Sequence, residues 1–163
     1  MAPLDRILER FLRQLGVLDE DALLHFNLAP LSLRRDMAAL GVIHRTVLGL
    51  GPQHFKQWFY FDTMERRHST RLGRRHGRQL ADPYWQYGRE YLNRSLVGYV
   101  SVYNLLPERI VSATKVKDFQ TLLQDMVKDV AASGDTSWRT LYSTRHARTS
   151  NAMRWLADWK PQT

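Results

Sequence analysis

One stretch constrains the fold more than any other. Val116, Phe119, Leu122, Leu123, Met126, Val127 and Val130 recur at the three- and four-residue steps of a helix, and Gly134 follows as a stop. A second stripe, Leu33, Met37, Leu40, Ile43 and Val47, steps by four and three and ends near Gly49 and Gly51. Two long amphipathic helices with apolar faces of this width need each other, or other helices, to hide them from water.

The rest of the chain follows suit. Leu4, Ile7, Leu8, Phe11, Leu12 and Leu15 form an apolar face opposite Arg6, Glu9, Arg10 and Arg13, with Gly16 as the stop. "LDEDALLHFN" reads as a short helix whose acids favour its N-terminal dipole. Ser32 and Thr114 are candidate N-caps, and Asp82–Pro83 has the form of a cap followed by an N1 proline. "LVGYVSVY" (96–103) has valines that permit a strand, but no second strand pairs with it, so helix is favoured. The expected fold is all-α: one compact domain of six to eight helices with an arginine-rich irregular loop at 65–81. A helical body over 1–136 is followed by a basic helical extension over 137–163.

Composition removes several function classes. Of 163 residues 44% are hydrophobic, enough for a core, and no cysteine is present, so disulfides and thiolate metal sites are excluded. That fits a reducing intracellular compartment. No uncharged apolar run reaches the length of a membrane span, so no membrane insertion is expected. There is no phosphate-binding glycine loop and no nucleophile elbow. The histidines are dispersed. His68 and His76 in the loop read as solvated, and His25 and His44 as ordinary helix residues. No catalytic residue, metal or cofactor is assigned.

The charge is more informative. The net charge is +8, but residues 1–64 are neutral, 65–80 carry +5, 81–136 carry −1 and 137–163 carry +4. The first island, "RRHSTRLGRRHGRQL" (66–80), holds Arg66, Arg67, Arg71, Arg74, Arg75 and Arg78 and no acid. Arginine forms bidentate hydrogen bonds to phosphate and stacks on bases. Trp58, Phe59 and Tyr60 precede the island, and Tyr84, Trp85 and Tyr87 follow it, the interleaving used by single-strand binders. At helical spacing most of these rings belong in a core, which leaves one or two exposed. In the tail, Arg145 and Arg148 extend the candidate nucleic-acid-binding set, alongside Arg139, His146 and Arg154. The partner class is RNA or DNA, single-stranded or a template–primer-like duplex, alone or within a larger assembly.

Several short motifs then line up in order. Leu28, Pro30, Leu31, Arg34 and Arg35 form a first block. Asn104, Leu106 and Pro107 form a second, and Val111, Ala113, Phe119 and Leu122 a third. Over residues 20–130 this order resembles the post-palm (thumb) region of non-LTR retrotransposon reverse transcriptases. Tyr103 stands where that family usually has tryptophan, and Gln120 where it has lysine. The family's catalytic signature, an aromatic residue, a variable one and two aspartates, occurs nowhere in the chain. The resemblance implies a helical region that holds nucleic-acid backbones, here without polymerase chemistry. The rival class is an interaction subunit, with the arginines docked on an acidic partner and Trp138, Trp155 and Trp159 as interface anchors. Core packing is the competing role for those tryptophans.

Overall fold

A computed structural model describes residues 3–62, 76–82, 92, 95–146 and 150–160. Among them run seven α-helices: α1 (Pro3–Gln14), α2 (Asp19–Phe26), α3 (Leu31–Val47), α4 (Val100–Tyr103), α5 (Glu108–Val111), α6 (Val116–Ala132) and α7 (Ser150–Asp158). Short 3-10 turns cover Gln53–Phe55, Leu96–Tyr99 and Thr136–Thr140. The described β structure is a single antiparallel bridge, Phe61 to Leu80. The fold is all-α, and "LVGYVSVY" is helical throughout.

The two expected stripes meet. Leu33, Leu40 and Ile43 of α3 and Phe119, Leu123, Met126, Val127 and Val130 of α6 are buried in one core, with α2 and the 136–140 turn also packed on α6. Burial of each such side chain stabilises by about 1.5–3 kcal/mol, so these two faces dominate the packing. Where α3 passes α6, Gly41 leaves room for the Gln120 side chain.

The tail closes the same core. Trp138, Leu141, Tyr142, Ala152, Leu156 and Trp159 are buried within it, so residues on both sides of position 136 share one packed body. The Tyr142 hydroxyl donates to the Leu123 carbonyl at 2.8 Å, and the Trp159 indole N–H donates to Asp129 at 2.8 Å. Trp155, half-buried, donates to Asp135 at 2.8 Å. The interface-anchor role is thus corrected to core packing for Trp138 and Trp159, of which 1% and 5% reach solvent.

Three local expectations also change. Pro30, not Ser32, occupies the N-cap of α3, and the Ser32 N–H is instead bonded by Asp5 of α1 at 3.1 Å. Lys115, not Thr114, occupies the N-cap of α6, with no side-chain bond. On α1, Leu12 is buried, while Ile7 and Phe11, and Leu15 just past the helix, lie outward, 51–65% exposed. The buried Asp5 explains this: tying it to Ser32 turns the Asp5–Leu8–Leu12 side of α1 inward.

Candidate nucleic-acid interface

The described residues stop at Asp62 before the arginine-rich segment and resume at His76. Arg66, Arg67, Arg71, Arg74 and Arg75 lie outside the described residues, as do Arg148, His68, Tyr84, Trp85 and Tyr87. What the structure describes is the chain on either side of it.

Two short runs meet there. Asp62 N–H donates to the Gln79 carbonyl and Ala81 N–H to the Tyr60 carbonyl, both at 2.9 Å, flanking the Phe61–Leu80 bridge. The returning run is then tied to the segment 103–113. Asn104 holds Leu80 at two points, accepting from its N–H and donating to its carbonyl, each at 2.8 Å. Gly77 N–H donates to the Glu108 carboxylate at 2.8 Å. Arg78 donates through Nη1 to the Val111 carbonyl at 2.8 Å and the Ala113 carbonyl at 3.3 Å, satisfying acceptors left open past the short helix α5. Arg78, counted with the phosphate-contact set from sequence, therefore spends this nitrogen inside the fold.

His76 differs from the solvated loop histidine that its neighbours suggest. It is 4% exposed; its Nδ1 accepts from the Arg78 N–H, so Nε2 carries the proton and donates to the Tyr103 carbonyl at 3.2 Å. The burial follows from the Leu80 clamp, which draws the returning run onto Tyr103.

Beneath this lies a buried polar hub. His44 of α3 donates from Nε2 to the Ala113 carbonyl and accepts at Nδ1 from the Tyr103 hydroxyl, both at 3.0 Å. Its ring stacks on Phe119 with centroids 4.0 Å apart. Burial, reinforced by the Arg78 charge, lowers the His44 pKa to about 4 despite the favourable Ala113 bond, so the ring is neutral at pH 7. Burial likewise pushes the Tyr103 hydroxyl well above its ordinary value. His44, His76 and Arg78 are all hydrogen-bonded to residues 103–113, the stretch "YNLLPERIVSA".

Arg145 stands elsewhere. It is exposed and lines a cleft of about 710 Å³ between α1, the start of α3 and the turn after Trp138. The other walls include Asp5, Glu9, Asp19 and Asp36. Asp36 is buried and accepts from the Tyr99 hydroxyl at 2.6 Å and from Arg35 at 3.3 Å. Burial raises its pKa, opposed by those two donors, and pushes Tyr99 up to about 12. Arg139 is paired with Asp19 and Glu20 at 3.0 and 3.3 Å. Arg35, Arg139 and His146 line it too, so the cleft carries charges of both signs, several of them paired with each other. Asp36 at the cleft and His44 at the hub are eight residues apart on α3, or roughly 12 Å of helix. Arg145 and Arg78 are thus attached to different parts of the fold.

Of the flanking rings, those that the structure describes divide as one buried and two exposed, and Phe61 beside them is exposed as well. Phe59 is buried, while Trp58, Tyr60 and Phe61 are exposed. Sequence reasoning misses Asn104, His44 and Asp36 as organisers of these places. The visible signal was a polar residue inside an otherwise apolar helical face. Among the described residues no group of histidines and carboxylates is arranged to hold a metal. No protein-family model matches the chain, and no match to it is found among curated proteins or solved structures.

Proposed function

We propose that the chain is a non-catalytic helical domain that binds nucleic-acid backbones, RNA in the first instance, through its arginine-rich segment. One observation carries the reading. An acid-free run of arginines is held at both ends by a fixed base: the Phe61–Leu80 bridge on one side, Asn104, Glu108 and the α5 carbonyls on the other. A cationic segment fixed at its base loses less freedom on binding a polyanion than a free tail does.

We also propose descent from the post-palm region of a non-LTR reverse transcriptase. Its support is that the motif positions have physical roles here. Pro30 and Pro107 sit at helix N-caps, Asn104 clamps Leu80, the Ala113 carbonyl receives two donors, and Phe119 stacks on His44.

The test is fluorescence anisotropy of labelled RNA across a salt series, for the wild type and for a variant with Arg66, Arg67, Arg71, Arg74 and Arg75 changed to glutamine. Each phosphate neutralised contributes about 0.7 to 0.9 to the slope of log affinity against log salt, so the wild-type slope is steep and the variant's shallow. Absence of salt-sensitive binding near physiological ionic strength overturns the reading. A second reading, an interaction subunit of a larger assembly, is favoured by the exposed Ile7 and Phe11 of α1 and Leu15 just after it. It predicts that poly-glutamate competes with RNA for the arginines and that Phe11→Ser weakens assembly without altering RNA affinity.

A further inference from the structure

The cleft between α1, the start of α3 and the turn after Trp138 encloses about 710 Å³, a volume typical of small-ligand pockets. Most of its charges are already matched. Asp19 holds Arg139 at 3.0 Å, and Glu9 holds Arg13 at 3.0 Å. Asp5 and Asp36 differ. They are 6% and 4% exposed, and each makes its bonds through one oxygen. Asp5 Oδ1 accepts from the Ser32 N–H at 3.1 Å, and Asp36 Oδ1 accepts from Arg35 and from the Tyr99 hydroxyl. Neither Oδ2 is bonded among the described residues and neither is sealed from solvent, so both open on the cleft.

These two carboxylates are neighbours. Ser32 and Asp36 are four residues apart on α3, on one face and about 6 Å apart along the axis. Burial raises the Asp36 pKa, and the nearby Asp5 charge adds to it. Arg35 neutralises the pair incompletely, since 70% of its side chain lies in water. The turn after Trp138 supplies the opposite sign. Arg145 lines the cleft, is exposed, and has no ion pair or hydrogen bond among the described residues.

We propose that this cleft binds a short zwitterionic peptide, its terminal ammonium seated between Asp5 and Asp36 and its terminal carboxylate on Arg145. The unmatched charges name the occupant. A plain anion is repelled by the buried carboxylates, and a plain polycation by Arg145. A metal ion finds no group of histidines and carboxylates able to hold it among the described residues. A molecule with a cation at one end and an anion at the other satisfies both walls. A free amino acid carries the two charges on one carbon and leaves most of the volume empty; two or three residues separate the charges and fill it. Thr140 and Ser143 offer hydroxyls to the peptide amides, and Leu8 and Leu28 offer apolar contact. No residue of the arginine-rich segment is needed, so this site and the phosphate grip stand or fall separately.

The experiment is isothermal titration calorimetry of the intact chain at pH 7 with three probes: Ala-Leu-Ala, its N-acetyl form and its C-terminal amide. The variants are Asp5→Asn and Asp36→Asn, which keep the acceptor oxygens facing Ser32 and Tyr99, and Arg145→Gln. Thermal midpoints check folding; if the asparagine variants do not fold, Arg145→Gln, at an exposed position, carries the test. Wild type is expected to bind the free peptide and to lose at least about tenfold on acetylation and again on amidation, the effect of one charge-assisted hydrogen bond. Asp36→Asn should bind the free and acetylated forms alike, and Arg145→Gln the acid and the amide alike. The five-arginine variant should bind as wild type does. The proposal is overturned if the free peptide does not bind at millimolar concentration, or if either blocked form binds as tightly as the free one. It is also overturned if the variants keep the wild-type discrimination, or if the five-arginine variant loses the peptide, which would place it on the arginine segment instead.

Discussion

Asn104 grips Leu80 by both of its backbone polar atoms. The Leu80 N–H donates to the side-chain oxygen and the side-chain NH2 donates to the Leu80 carbonyl, each at 2.8 Å. A primary amide is the only uncharged side-chain group with a donor and an acceptor spaced for this, which explains a polar residue in the apolar run "VYNLLP". The bond pair does for the returning end of the arginine-rich segment what a neighbouring strand does in a sheet. It fixes the register of a run that, among the described residues, has a single bridge to rely on.

Replacing Asn104 with alanine leaves the N–H and carbonyl of Leu80, itself 2% exposed, without partners. Two lost bonds, with part of the desolvation cost uncompensated, amount to about 2–4 kcal/mol. Urea unfolding of Asn104→Ala should show a lower midpoint at unchanged slope. A midpoint within error of wild type refutes the clamp.

His44 makes stability depend on pH with a definite sign. Its folded pKa is about 4, against 6.5 for the ordinary value. Between those values the unfolded chain holds more protons than the native one, so stability falls as pH drops from 6.5 toward 4. The loss totals roughly 3 kcal/mol by linkage. Asp36 works in the opposite direction, since its folded pKa is raised and acid favours its native form. Thermal midpoints from pH 7 to 4.5 for wild type and His44→Gln separate the two. The variant starts lower, having lost a buried hydrogen-bonding ring, but its decline with acid is shallower. Parallel declines would show that His44 is not the titrating group.

The helices were legible from sequence because their apolar steps are local. Leu33, Leu40 and Ile43, or Phe119, Leu123 and Met126, announce their buried face without any knowledge of a partner. The organising polar residues were not. Asp36 and His44 lie on the same buried face of α3, and an apolar count passes over them. Their partners, Tyr99, Tyr103 and Ala113, are 59 to 69 positions away. The caps fail for the same reason. Ser32 satisfies the local rule, yet Asp5 arrives from α1 to take its N–H. His76 reads as one more residue of a basic loop until Tyr103 is brought beneath it.

Arg78 should behave unlike the rest of its island. With Nη1 bonded to the Val111 and Ala113 carbonyls, its removal is a stability change first. Arg78→Gln is expected to cost about 1–3 kcal/mol, the range for a lost bond from a charged donor to partly buried acceptors. The salt slope of RNA binding should stay within about one phosphate of wild type. Stopped unfolding titrations and the anisotropy series measure the two separately. A slope that falls as far as that of the five-arginine variant, at unchanged stability, would return Arg78 to the phosphate-binding set.

Gly41 and Gly51 make a paired test of the α3 packing. A Cβ on Gly41 would meet the Gln120 amide nitrogen at 2.9 Å, the far end of a flexible, exposed side chain. Gln120 can swing away, and alanine gains about 0.8–1 kcal/mol over glycine in a helix interior. Gly41→Ala should therefore be neutral or slightly stabilising. A Cβ on Gly51 would sit 2.8 Å from the Thr46 Cα, which is backbone of α3 and cannot yield without moving the helix end. Gly51→Ala should destabilise by about 1–3 kcal/mol, the usual cost of overpacking. The comparison is read from urea midpoints of the two variants side by side. If Gly41→Ala is the costlier, the Gln120 side chain is held in place by the α3–α6 contact, and that contact is tighter than the exposed position of Gln120 implies.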